Sequence, residues 1–277
     1  MIYLILAIIS SALVSITMRL SEKSVKNNIA LLSVNYIVCL CMASVYTGFN
    51  NIYVSIEGMN KTVLLGVVNG VLYLTSFVLF QRSIKKNGVI LSSLFMKLGI
   101  LIPIIISILI FKEIPDFLQM IGFIIAVIAI IFMNYQKDND NSFNYSLVIL
   151  LIANGMTDAM SKIYEEVGNS LLSEQFLFYT FLFALILCLI LTYIKKQKIT
   201  INEIKYGLII GIPNYFSARF LLLALQSLSA VIVYPTFSVG TVIVVAITGM
   251  IFFNEKISQR QKVALMAILL SLILLNL

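Results

Sequence analysis

Three charged side chains sit where the sequence is otherwise oily. Lys97 lies in ILSSLFMKLGILIP, Asp158 in LLIANGMTDAMSK and Arg219 in GIPNYFSARFLLLALQ. A charge in the middle of a hydrocarbon layer costs at least about 2.5–3.5 kcal/mol on insertion scales, so each residue marks a functional site or one half of an ion pair. The two cations suit a carboxylate or phosphate, Arg219 through a planar fork of donors. The carboxylate suits an amino group, or the binding and release of a coupling proton.

Spacing strengthens the case. Asn154, Asp158 and Lys162 recur at four-residue steps and share one helix face. Tyr215 and Arg219 do the same, with Gly211 one turn earlier, and Asn69 and Tyr73 make a third polar stripe. The candidate substrate-binding set is therefore Arg219, Lys97, Asp158, Tyr215, Tyr73, Asn154 and Asn69, and Asp158 is also the candidate proton carrier. Plainer readings stand beside these. Asp158 neutralises Lys97 or Arg219 as a structural pair, Lys162 and Arg19 snorkel to a span end, and the tyrosines pack. Two cations against one anion leave an excess of positive charge, which favours an amino acid carboxylate, an organic acid or a phosphorylated metabolite.

Other chemistry is excluded by residue type. With no His among 277 residues, there is no Ser-His-Asp or Cys-His site, no HExxH zinc protease and no haem ligand of the usual kind. There is no GxGD pair or GxSG, and one buried aspartate makes no protease dyad, so no enzyme is expected. Cys39, Cys41 and Cys188 lie in apolar runs and read as buried, unpaired thiols, not as a disulfide or metal site. No metal and no cofactor is expected.

Elements that could position such residues follow from composition. Hydrophobic residues make up 61% of the chain and charged ones 11%, against about 45–50% and 25% in soluble domains. Neither a soluble globule nor a disordered chain has that balance, so the chain is read as a membrane protein. A bilayer core needs roughly 20 apolar residues per helix. Ten such stretches lie near 2–20, 29–49, 62–82, 88–111, 116–135, 143–165, 173–194, 203–227, 229–253 and 257–277. MIYLILAIIS lacks a basic leader region and reads as a retained first span.

Loops after odd-numbered spans carry fourteen Lys and Arg residues, whereas those after even-numbered spans carry only Lys61 and Lys112. The positive-inside rule puts the odd loops in the cytoplasm and both termini outside. The net charge of +7 then reflects loops at an anionic inner leaflet, and no nucleic-acid partner is expected.

The halves repeat. FKEIPDFLQ around Glu113 answers FNEKISQRQ around Glu255, GVVNG (66–70) answers GLIIG (207–211), and Tyr73 answers Tyr215, all at offsets of 141 or 142. Arg19 and Glu22 answer Lys162 and Glu165. Five spans per half is an odd number, so the second half runs inverted, as alternating access requires. The expectation is an all-α membrane protein of ten transmembrane helices. They form two inverted five-helix repeats, residues 1–137 and 143–277, in one integral membrane domain. The counterparts of Lys97, Asp158 and Arg219 are Val239, Ser15 and Phe77, so the fold itself does not demand the charges. The paired glycines read as close-packing surfaces, and Glu113 and Glu255 as caps for loops and span starts.

In these features the sequence resembles the drug/metabolite transporter superfamily, EamA-like branch. The resemblance rests on the five-plus-five spans, on LIFKE and IFFNE ending in Glu113 and Glu255, and on SAVIVYP, whose Pro235 stands twenty residues before Glu255. The first half departs from it, with Ser93 in place of a proline and Pro103 further on. Trp, used by relatives that recognise quaternary amines, is absent. The resemblance implies a central substrate cavity where the polar faces converge, in a multi-pass protein of the cytoplasmic membrane.

The expectation is a secondary transporter that moves a small zwitterion or organic anion, coupled to protons or by exchange, with the resemblance leaning to export. Because both halves are fused, a monomer suffices. One alternative is a carrier of quaternary amines or drug-like cations, with Asp158 paired to Arg219 and a tyrosine cage. Others are a lipid-linked carrier flippase and a non-transporting partner subunit.

Overall fold

The computed structural model describes residues 1–110, 116–134, 145–228, 230–255 and 259–274. Lys112, Glu113, Lys137, Lys256 and the expected boundary between the halves lie outside them. Every regular element among the described residues is helical: α1 (Ile2–Ser21), α2 (Asn28–Thr47), α3 (Met59–Lys97), α4 (Leu101–Leu109), α5 (Phe117–Asn134), α6 (Tyr145–Val167), α7 (Ser173–Ile194), α8 (Ile201–Ser227), α9 (Ala230–Phe252) and α10 (Gln259–Leu274). A bilayer imposes this, because a helix satisfies its backbone polar groups internally. Among the described residues, six helical stretches are long and apolar enough to cross a membrane, and Thr236–Phe252 is a shorter apolar one.

The third and fourth expected spans are two helices that meet at Gly88, whose backbone (φ 81°, ψ 170°) is not helical. α3 takes in the third and the start of the fourth, which continues through the 3-10 turn Leu98–Ile100 into α4. The remaining expected spans fall on helices within a few residues of the expected bounds.

On α1, Ile2, Ile5, Leu6, Ile9 and Leu13 are exposed, while Leu4, Ala7, Ser10, Val14 and Met18 are buried. The outward side chains are all large and apolar, which suits a lipid surround, while the inward ones pack on neighbouring helices, where close backbone approach is what binds helices together. Gly66 and Gly70 put α3 against Tyr179 and Thr180 of α7, and Gly207 and Gly211 put α8 against Val34 and Val38 of α2. A Cβ on any of the four would stand 2.6–2.7 Å from its neighbour, so these glycines are close-packing surfaces. α3 also packs on α6, and α8 on α1. Cys39 and Cys188 are buried free thiols, whereas Cys41, expected to be buried, is exposed because it faces away from α8.

Candidate functional site

Ser11 and Ser15 of α1, Asn69, Tyr73 and Ser76 of α3, Asn154 and Asp158 of α6 and Asn214 of α8 face a common space. With Lys97 and Phe237 they line a cavity of about 110 Å³. In a bilayer such polar side chains are favoured toward one another or a water-filled space, and this interior is where these residues meet.

Asn154 organises one wall. Its Nδ2 donates to Asp158 Oδ2 and to the Met96 carbonyl, both at 2.9 Å, and its Oδ1 accepts from Ser76 Oγ at 3.1 Å. Lys97 follows Met96 directly, so one amide connects the carboxylate to the turn that carries the ammonium. The two charges attract each other across the cavity. Lys97 Nζ also lies 3.8 Å from the centre of the Phe237 ring, a cation–π contact.

Tyr73 lines the cavity one turn before Ser76 on α3. Its ring stacks on Phe77 at 5.3 Å, and its hydroxyl donates to Asn214 Oδ1 at 3.2 Å. Asn214 Nδ2 donates to Asn35 Oδ1 at 3.1 Å. Asn69 Nδ2 donates to Thr180 Oγ1 at 3.3 Å, which binds α3 to α7 at the cavity edge.

Arg219 and Tyr215 lie apart from this cavity, around Glu174 in the first turn of α7. Arg219 Nε donates to Glu174 Oε1 at 3.0 Å, and the Tyr215 hydroxyl donates to Oε2 at 3.3 Å. The Arg219 guanidinium sits 3.9 Å from the centre of the Tyr46 ring, which itself stacks on Tyr215 at 5.7 Å. Arg219 therefore pairs with Glu174, and the carboxylate of Asp158 is held by Asn154. Lys162, read as snorkelling, pairs with Glu166 at 2.7 Å.

A third charged cluster lies at another end of the bundle. Glu255 accepts backbone N–H groups from Val89 (2.9 Å) and Ile90 (3.1 Å), the first residues after the Gly88 break. A carboxylate is favoured at such a helix start, because the first N–H groups have no partner in their own helix. Arg19 Nε meets the same carboxylate at 3.1 Å and also binds Glu22. Glu255 is thus the cap the sequence suggested, and its partner is the opposite half of the chain.

Of the seven candidate residues, five (Lys97, Asp158, Asn154, Asn69 and Tyr73) share the cavity and two (Arg219 and Tyr215) share Glu174. Sequence reasoning missed Ser76, Asn214, Phe237 and Glu174. Asn214 carried a signal, a polar residue after Pro213 within an apolar span. Glu174 was hidden as an ordinary charge at a span boundary.

Membrane-length helices around a buried polar cavity define a multi-pass membrane protein of the transporter class. The profile of the EamA-like transporter family matches residues 1–135 and again 144–277. The chain belongs to that family. It is similar to an uncharacterized protein of Haemophilus influenzae, with 24% identity over 270 residues, covering 92% of this chain and 91% of the relative. A solved crystal structure of a protein superposes with a TM-score of 0.65 at 10% identity, covering 99% of this chain and 94% of that one. That likeness shows a shared fold.

Proposed function

We propose that this protein is a secondary transporter of a small amino-acid-like zwitterion or organic anion across the cytoplasmic membrane, working by alternating access. The observation that carries the reading is the placing of Lys97 and Asp158 on one small polar cavity. An ammonium and a carboxylate that are not fused into a tight pair offer one group to each end of a zwitterion. Lys97 takes a carboxylate. Asp158 takes an amino group, or carries a coupling proton when the substrate is a plain anion.

The mechanism takes the chain as ten spans in two inverted repeats, 1–137 and 143–277, a reading supported by the family model matching twice along the chain. The glycine contacts are in keeping with it, since α3 on α7 and α8 on α2 exchange roles between halves. The positive-inside pattern supports termini outside. In this reading Arg219 closes one end of the path through Glu174, and it reaches a substrate carboxylate only when Glu174 lets go. A fused pair of halves suits a monomer.

The cation-carrier reading has aromatic walls in its favour, yet the Phe237 ring already faces Lys97. A quaternary amine would meet both that ammonium and an occupied ring. The test is thermal stabilisation of purified protein by amino acids, organic anions and quaternary amines, on wild type and Lys97→Met. A shift from carboxylate ligands that Lys97→Met loses supports the zwitterion or anion reading. A shift from quaternary amines alone, kept by the variant, overturns it.

A further inference from the structure

The face of α1 that reaches the central cavity through Ser11 and Ser15 continues through Met18 to Glu22, and that of α3 continues from Phe77 and Phe80 to Gln81 and Lys85. One helical seam thus leads out of the cavity toward the basic loops. At its end lies a second pocket, of about 360 Å³, walled by Met18, Gln81, Ile84, Lys23, Lys26 and Lys85. Met18 and Phe80, 1% and 0% exposed, pack in the same apolar cluster between the two spaces.

We propose that this pocket is a second anion site, a station for a carboxylate- or phosphate-bearing small molecule on its way to or from the central cavity. Three observations carry it. Among the described residues, none of the three ammonium groups has an ion-pair partner, and Glu22, the pocket's one carboxylate, is engaged by Arg19. Gln81 is only 8% exposed, lines the pocket, and its amide makes no hydrogen bond among the described residues. The rim is also fixed in place: the backbone N–H groups of Lys26 and Asn27 donate to Glu203 of α8 at 3.2 and 3.1 Å. Three cations, an unengaged buried amide and a braced loop are what recognition of a compact anion needs.

The role as a station rests on the transport reading above; the binding of an anion does not. The probe is inorganic phosphate, added to the full-length protein in uncharged detergent and read by melting temperature and equilibrium dialysis. Wild type is expected to gain stability and bind phosphate. The Lys23→Gln, Lys26→Gln, Lys85→Gln triple variant should lose about a hundredfold in affinity, as about fivefold for each of three near-surface cations implies. Gln81→Leu should weaken binding, and the corresponding triple Lys→Arg variant should keep it, which separates loss of charge from misfolding.

In a parallel arm, phosphatidylcholine nanodiscs with and without phosphatidylglycerol test whether a lipid headgroup is the source of the anion. A shift from the lipid alone overturns the station and leaves a headgroup site. No shift with phosphate, or one the Gln triple retains, overturns the site. A phosphate shift lost in Lys97→Met but kept in the Gln triple also overturns it, while leaving the transport reading intact.

Discussion

Asn154 Nδ2 lies 2.9 Å from both Asp158 Oδ2 and the carbonyl of Met96, so a single amide holds the buried carboxylate and the residue before Lys97 together. Both charged groups of the cavity take their positions from a neutral side chain. Removing it should therefore harm function through geometry, not through charge.

Asn154→Ala leaves Asp158 short of a donor and Ser76 short of an acceptor. Unmade bonds of this kind cost about 1–3 kcal/mol each in a buried site. The variant should melt lower and transport more slowly, with substrate selectivity degraded in a flux assay. Asn154→Asp keeps an acceptor for Ser76 but places a second carboxylate beside Asp158, and it should be worse than alanine for transport. Equal flux in wild type and both variants would remove Asn154 from the positioning role.

Asp158→Asn keeps the shape and one acceptor for Asn154 while deleting the titratable group. If Asp158 carries a coupling proton, the variant should lose uphill transport driven by a pH gradient while retaining exchange between substrate pools. If it contacts a substrate amine, both activities should fall together. Flux that keeps its wild-type pH profile eliminates both roles.

Arg219 and Glu174 should behave as a coupled pair. Their side chains are 20% and 30% exposed, so the net contribution is about 1 kcal/mol, and not the larger value of a dry pair. Arg219→Gln and Glu174→Gln should each raise substrate leak or shift the balance between open states, with the double variant little worse than either single. Labelling of cysteines introduced beside Tyr46 would report that shift. Strictly additive effects would show that the pair does not act as a unit.

How much of this was legible follows from what each residue type signals. A charge inside an apolar run is visible without a structure, so Lys97, Asp158 and Arg219 could be singled out, and four-residue spacing found Asn154. Which charge meets which could not be read, because Asp158 and Arg219 lie on helices seated by separate close contacts, α6 through Gly155 against Gly99 and α8 through Gly207 and Gly211 against α2. Glu174 looked like any boundary residue, Ser76 is of a type that also packs helices together, and Phe237 is of a type that also faces lipid. The break in α3 falls beside the expected gap between the third and fourth spans, but the carboxylate that caps the helix after it, Glu255, stands 166 residues along the chain from Val89.

Gly88 tests that long-range cap. Its φ of 81° is a backbone conformation that L residues rarely adopt, and a Cβ there would stand 2.8–2.9 Å from the Glu255 carboxylate. Gly88→Ala should cost about 1–3 kcal/mol, the strain of a non-glycine residue held at positive φ. It should also displace the carboxylate that caps Val89 and Ile90. Glu255→Gln keeps an acceptor for the helix start but gives up the charge that faces Arg19, so it should cost less in melting temperature than Glu255→Ala. Because the same carboxylate joins α1, the start of the second part of α3 and the end of α9, Glu255→Ala should also loosen that end of the bundle. Hydrogen exchange at Val89 and Ile90 would rise in Glu255→Ala and stay near wild type in Glu255→Gln. Equal exchange in the two variants would mean that neither backbone N–H depends on that carboxyl group.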